Sequence, residues 1–329
     1  MKFSRSFDGT KMVVGLLALV AGFLVGVFIS QPSSDEELPS ELRLGPSSFT
    51  NPLLECDLGR ATIGSSKKDF TSDLVEFTDR LKEKGEVSEI AVYYRDLNNG
   101  PVFGVGHDTL FAPASLLKVP LMIAYLKWSE DVPGVMDEKM TYETPIDVGY
   151  QQQFAPIDPL ALGRSYSARE LLEQMVTYSD NQALILLFKK LPTRYQEELY
   201  DLLGVDASLI TDPTATLTVK QYSIFFRILF NSSFLSRNDS EYALSLLTKT
   251  TFVDGLVAGV PKNIVVAHKF GERKIADGLQ QFHDCGIIYY PNHPFLLCVM
   301  TRGGDVQALI GAIRDIAAFV YDKVDDQYR

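Results

Sequence analysis

In Phe111-Ala-Pro-Ala-Ser-Leu-Leu-Lys118 an extended, turn-rich stretch gives way to a long apolar helix that runs to about Glu130. Any fold of this chain has to bring Ser115 and Lys118 together at the head of that helix, because a spacing of three places both side chains on one face. A serine hydroxyl is a poor nucleophile until a base takes its proton. A lysine serves as that base only when burial or a second cation lowers its pKa. The first helical turn also presents free backbone N–H groups and the positive end of the helix dipole, which suit an oxygen that becomes an anion during reaction.

A Ser-x-x-Lys pair turns up by chance roughly once in a chain of this size, and alone it describes an exposed helix start equally well. Its company gives it weight. Tyr178-Ser-Asp-Asn181 puts Ser179, Asp180 and Asn181 where one helical segment ends and another begins, and Ala267-His-Lys-Phe-Gly-Glu272 puts Lys269 and Gly271 in a strand-like stretch. A specified Ser-Asp-Asn tripeptide is expected by chance only ~0.05 times in such a chain. The three elements, in this order, resemble those of the penicillin-recognising serine hydrolases, most closely the class A β-lactamase-like family. The likeness is strong at the first two elements, partial at Lys269-Phe270-Gly271, and covers the chain from about Lys67 to the C-terminus.

That resemblance implies acyl transfer through a covalent Ser115 ester, with a β-lactam or a D-alanyl peptide amide as substrate. It implies Lys118 as the base for Ser115, kept neutral by burial and by Lys269. Lys269 would also attract a substrate carboxylate, Ser179 would relay a proton to the departing nitrogen, and Asn181 would hydrogen-bond the substrate's acylamide. An oxyanion hole from the backbone N–H groups of Ser115 and Glu272 is implied as well, which requires the strand carrying Gly271 to dock closely on the Ser115 helix. Asp180 reads as structural, satisfying backbone groups around the bend.

Two departures separate this chain from that pattern. The middle residue of the third motif usually carries a hydroxyl that binds the substrate carboxylate, but here it is Phe270, which hands the task to Arg273 or another donor, or changes the preferred substrate. Class A enzymes also place a glutamate between the second and third motifs to activate water for deacylation. Leu203 to Thr218 holds Asp206 and Asp212 but no glutamate, and Glu197 and Glu198 fall in the preceding helix. Asp212, before Pro213, reads as a turn residue. The expectation is an enzyme that acylates readily and turns β-lactams over slowly. Three alternatives stay open: a D,D-carboxypeptidase or penicillin-binding protein of cell-wall metabolism, a divergent β-lactamase that activates water differently, and a non-catalytic muropeptide or β-lactam sensor. An intact Ser115 and Lys118 argue against the sensor.

Residues 12–30 form an uncharged apolar run, preceded by Lys2, Arg5 and Lys11 and followed by Asp35, Glu36 and Glu37. That length spans a bilayer, and the basic flank stays cytoplasmic, leaving the C-terminal bulk outside. A cleaved signal peptide is the competing reading, disfavoured because Phe28-Ile-Ser-Gln31 lacks a small-x-small cleavage site. The expected organisation is a cytoplasmic tail (1–11), a membrane anchor (12–30), an extracytoplasmic stalk rich in Pro, Ser, Gly and acids (31–66), and a hydrolase domain (67–329). A net charge of −11 argues against a nucleic-acid role. His107, His268, His283 and His293 lack metal-ligand spacing, so neither a metal nor another cofactor is expected. His268, beside Lys269, is a candidate for lining the cleft, and His283 reads as structural. Cys285 and Cys298 read first as small buried hydrophobes, with a disulfide between them left open.

Helical spacing at Phe70, Leu74, Phe77 and Leu81 predicts a helix over 67–84. Ile90 to Tyr94 and Val102 to Val105 read as a hairpin turning at Asn99-Gly100. Ser167-Ala-Arg-Glu170 and Thr218-Val-Lys-Gln221 are capping boxes that open two helices. Strands are expected at 264–270, 286–290 and 295–301, and a final helix at 306–324. The terminal segments then make one antiparallel five-stranded sheet flanked by helices, with an all-helical lobe inserted at about 113–262, an α+β layout whose cleft lies between the lobes. By resemblance this is also the β-lactamase-like fold.

Overall fold

The computed structural model of the protein describes residues 41–43, 45–56, 70–85, 87–98, 101–146, 152–275 and 278–329. A short hairpin, β1 (Glu41–Arg43) and β2 (Leu53–Cys56), precedes helix α1 (Thr71–Glu83), strands β3 (Val87–Asp96) and β4 (Val102–Val105), and helix α2 (Lys118–Asp131). A second small ladder, β5 (Lys139–Thr141) with β6 (Ser165–Ser167), leads into α3 (Ala168–Thr177), α4 (Asn181–Lys190), α5 (Arg194–Leu203), α6 (Val219–Phe230) and α7 (Arg237–Leu247). The chain returns to the sheet with β7 (Val266–Lys274), β8 (Gln280–Ile288) and β9 (Phe295–Gly303), and ends in α8 (Val306–Tyr328).

The principal sheet has the order β4-β3-β9-β8-β7, antiparallel throughout, as the sequence predicts. Successive strand side chains point to opposite faces. Ala91, Tyr93, Cys285 and Met300 therefore meet Leu116, Met122 and the rest of the helical lobe, whereas Val92, Tyr94, Phe282 and Val299 meet α1 and α8. Both faces are covered, which explains why β3 and β9 are nearly continuous buried runs instead of alternating ones. Helix α2 is buried from Lys118 through Leu126 and forms the axis of the helical lobe. Both predicted capping boxes are present, Ser167 with Glu170 and Thr218 with Gln221.

The tail 1–11, the apolar run 12–30 and the Asn99-Gly100 turn lie outside the described residues. Among the described residues, no helix is long and apolar enough to cross a membrane. Within the stretch expected to be a stalk, residues 47–51 are docked on the domain. The Glu241 carboxylate on α7 accepts the N–H groups of Phe49 and Thr50 at 3.1 and 2.9 Å, and the hydroxyls of Ser47 and Thr50. Asn51 N–H donates to the Phe230 carbonyl at 2.9 Å. A polar stretch without periodicity gives no sign of such a dock, because one distant carboxylate supplies most of the partners.

Candidate active site

Ser115 sits in a single 3₁₀ turn, Ala114–Leu117, that feeds directly into α2, so Lys118 is the first α-helical residue. In a 3₁₀ turn residues three apart eclipse one another, which aligns the two side chains more closely than an α-helical start would. Ala114 has a φ of 51°, and Ser179, in the bend between α3 and α4, has a φ of 57°. Non-glycine residues in this left-handed region are strained by about 1–3 kcal/mol each. Both lie at the cleft, one immediately before the nucleophile and the other in the second motif.

The Lys118 ammonium nitrogen is 3.0 Å from Ser115 Oγ, 3.0 Å from Ser179 Oγ, and 2.7 Å from both the Ser179 carbonyl oxygen and Asn181 Oδ1. The carbonyl and the amide oxygen only accept, so they take two N–H hydrogens. What remains of the nitrogen faces the two hydroxyls. In the neutral amine that remainder is a lone pair, and the Ser115 O–H can point at it. Burial pushes Lys118 down to about 7, against the opposing pull of Asp180 and Glu272. Lys269 Nζ donates to Ser179 Oγ and to the Phe270 carbonyl, each at 3.0 Å. Its pKa lies well below the ordinary lysine value because of burial and the neighbouring Lys118. Ser179 Oγ thus bridges two buried lysines, and Asp180 caps α4 by accepting the N–H groups of Gln182 and Ala183 at 2.6 and 3.0 Å.

β7 is the outer strand of the sheet, and its free edge runs past the Ser115 turn. A Cβ added at Gly271 would come within 2.9 Å of the Pro113 carbonyl oxygen and 3.1 Å of the Leu116 nitrogen, so only glycine allows this approach. The turn is tethered from the sheet side too. His283 Nε2 donates to the Ala112 carbonyl at 3.1 Å, the Ala112 N–H donates to Gln281 Oε1 at 3.0 Å, and His283 Nδ1 accepts the Thr301 N–H at 3.3 Å. Burial lowers the His283 pKa to about 4, so the ring is neutral, as one donor and one acceptor nitrogen require. Cys285 and Cys298, directly opposed on β8 and β9, are fully buried and joined in a disulfide.

Two expectations change at the third motif. Phe270 lies on the far face of the sheet, stacked on Phe282 at 5.9 Å and packed against Phe252 at 4.6 Å and Phe154 at 6.0 Å. It builds the core beneath the cleft. His268 shares that face: its Nδ1 is 2.8 Å from Asp284 Oδ1, and it does not line the cleft. Alternation along β7 sends His268 and Phe270 one way and Lys269 the other. Arg273 lies beside the Ser115 turn. Its Nη1 donates to the Pro213 carbonyl at 2.5 Å, and it lines a hollow of about 370 Å³ with Ala114, Leu117, Ile210 and Asp212. Asp212 Oδ1 is engaged locally by the N–H and hydroxyl of Thr214, both at 2.7 Å, and Asp206 by the Ser208 N–H.

Sequence reasoning missed the segment Gln152–Phe154, which ties Ser179 to Glu272. Gln152 Nε2 donates to the Ser179 carbonyl at 3.2 Å, and the Gln153 and Phe154 N–H groups donate to Glu272 Oε1 at 2.9 and 3.0 Å. By the alternation of β7 the Glu272 side chain shares the face of Phe270, and its carboxylate anchors this segment. No motif marks Gln152 to Phe154; a Phe154 that follows three glutamines was the one signal present.

A buried serine bonded to a buried lysine, a second lysine across a shared hydroxyl, and a glycine-bearing edge strand define a serine hydrolase. A family model described as the β-lactamase enzyme family matches residues 74–324, and the chain belongs to that family. Among solved structures, PBP-A is similar at 21% identity and a TM-score of 0.65, covering 79% of this chain and 98% of its own. The TLA-1 extended-spectrum β-lactamase is similar at 21% identity and a TM-score of 0.66, covering 78% and 99%. A β-lactamase from Xanthomonas campestris pv. campestris gives 21%, 0.64, 77% and 97% in the same order. At such identities these likenesses establish the fold. No curated protein sequence matches the chain.

Proposed function

We propose that this chain forms an acyl-enzyme at Ser115 on a β-lactam or a D-alanyl peptide amide, and that β-lactam turnover is slow. The observation that carries the reading is the Lys118–Ser115 contact of 3.0 Å with the lysine poised near neutrality. Ser115 Oγ attacks the carbonyl carbon while its proton passes to the Lys118 lone pair. The oxyanion is held by the backbone N–H groups of Ser115 and Glu272, a contribution worth about 3 kcal/mol per donor. The C–N bond then breaks, and the proton leaves Lys118 for the departing nitrogen through Ser179 Oγ, 3.0 Å from Lys118 Nζ. Lys269 fixes the Ser179 hydroxyl and, with Arg273, attracts the substrate carboxylate, and Asn181 holds the acylamide.

The D,D-peptidase alternative draws on one further observation. Between α5 and α6 there is no glutamate, and both aspartates there accept hydrogen bonds from their own turns. Water attack on the Ser115 ester then lacks a dedicated carboxylate base, which favours an enzyme that penicillins trap. A mutant of the similar PBP-A is described as an acyl-enzyme complex with penicillin G. The apolar run 12–30 and its basic flank support a single N-terminal anchor with the catalytic domain outside the membrane. Incubation with D-alanyl-D-alanine peptides, with release of D-alanine followed over time, tests the peptidase reading. Release by the native chain and none by Ser115→Ala is expected, and equal release by both contradicts it.

A further inference from the structure

The segment that Glu241 holds on the domain and the turn between β8 and β9 face each other across a hollow of about 320 Å³. It lies away from the catalytic cleft. The Tyr289 N–H donates to the Val265 carbonyl, and Val265 stands six residues before Gly271 in extended chain, roughly 20 Å along the sheet from the Ser115 turn. Three aromatic residues (Phe230, Tyr289, Tyr290) and three asparagines (Asn51, Asn98, Asn292) line the hollow, and the rest of its wall is proline, serine and threonine. No side chain in that wall is charged, and none is Leu, Ile, Val or Met. The hollow beside the Ser115 turn, by contrast, has Asp212 and Arg273 in its wall. The two tyrosine rings are fixed in advance: the Tyr289 hydroxyl donates to the Phe49 carbonyl and the Tyr290 hydroxyl to Asp325 Oδ1, each at 3.0 Å. Ser48 and Asn292 are exposed at the rim, and their side chains make no hydrogen bond among the described residues.

We propose that this hollow binds a neutral oligosaccharide, at a site separate from the acyl-transfer cleft. An ion finds no charged partner in such a wall, and a hydrocarbon would leave its amides and hydroxyls unpaired. A sugar meets both parts of it. The C–H faces of a pyranose ring stack on aromatic rings, and a planar amide offers a donor and an acceptor together to neighbouring hydroxyls. Because the tyrosine rings are already held, little ordering is lost on binding. The site does not depend on the acyl-transfer reading. Beside that reading, it would hold a glycan while the cleft acts on an amide attached to it.

The probe is the β-1,4-linked tetramer of N-acetylglucosamine, titrated into the full chain by isothermal calorimetry. Saturable binding is expected, weakened about tenfold in Tyr290→Ala, which removes a stacking ring. Asn292 has a φ of 61°, so Asn292→Gly keeps the left-handed backbone while removing the amide, and binding there should weaken about fivefold. Tyr290→Ala also loses its bond to Asp325 and its packing on Tyr321, so the exposed Asn292→Gly decides the matter if that variant does not fold. An excess of benzylpenicillin should leave the native titration unchanged. No saturable binding up to about 10 mM, or an unchanged affinity in Asn292→Gly, overturns the inference. Displacement by benzylpenicillin overturns it too, because it would place the sugar in the cleft. None of these results bears on acyl transfer at Ser115.

Discussion

Gly271 and Pro113 approach so closely that a single added carbon on the glycine would lie 2.9 Å from the proline carbonyl oxygen. This approach joins the edge strand to the nucleophile's turn, and so sets the separation of the two backbone N–H groups assigned to the oxyanion. Gly271→Ala is expected to push β7 away from Ser115 and to slow acylation by about 10²-fold, the cost of losing one oxyanion donor. Stopped-flow or mass-spectrometric acylation rates would check it; a change of less than about threefold would mean that the strand does not contribute to the hole.

Lys118 is expected to act as the base in its neutral form. Protonated, it has no lone pair for the Ser115 proton, so acylation should fall about tenfold per unit as pH drops below its pKa of about 7, and level off above it. Lys118→Ala should lose about 10²-fold or more and flatten the profile. A native rate independent of pH between about 5 and 7 would assign the base to another group.

Phe270 is 3% exposed within four mutually packed rings. A threonine there would restore the hydroxyl usual in the third motif but would leave a cavity under the cleft. Phe270→Thr is accordingly expected to cost about 3 kcal/mol of stability without strengthening carboxylate binding. Urea unfolding and the KM for a carboxylate-bearing substrate test the two halves separately. A tighter KM with unchanged stability would put the side chain in the cleft.

His283 is buried neutral, with its pKa lowered from 6.5 to about 4. Because the folded state disfavours the proton that the unfolded chain accepts, its contribution is fully present above about 6.5 and is lost as pH falls toward 4. Stability should drop on the order of 1 kcal/mol per pH unit across that window, and His283→Gln should remove most of this slope. An identical slope in the variant would locate the titration elsewhere.

The residues of the three motifs were legible because their chemistry depends on local spacing: Ser115 with Lys118, Ser179 with Asn181, Lys269 with Gly271. The sheet was legible too, except at the end of β7, which runs on to Lys274, and at the start of β8. Gln281, His283 and Asp284 look like loop residues, yet each is buried and bonded to a distant partner: Ala112 for the first two, His268 and Leu256 for the third. Polar strand residues satisfied by tertiary contacts leave no trace in a hydrophobic pattern. The same reason hid the segment before Ala155, whose hydrogen bonds join Gln152, Gln153 and Phe154 to Ser179 and Glu272 across long sequence separations. The side-chain directions of His268 and Phe270 were also out of reach, because they depend on which face of β7 the helical lobe covers.

The most direct test of covalent catalysis at Ser115 is intact-protein mass spectrometry of the full chain during incubation with benzylpenicillin, with peptide mapping of any adduct. A mass increase equal to the intact drug, mapping to Ser115, absent in Ser115→Ala and decaying slowly, is predicted. An unmodified mass throughout, or an adduct that survives in Ser115→Ala, would contradict it.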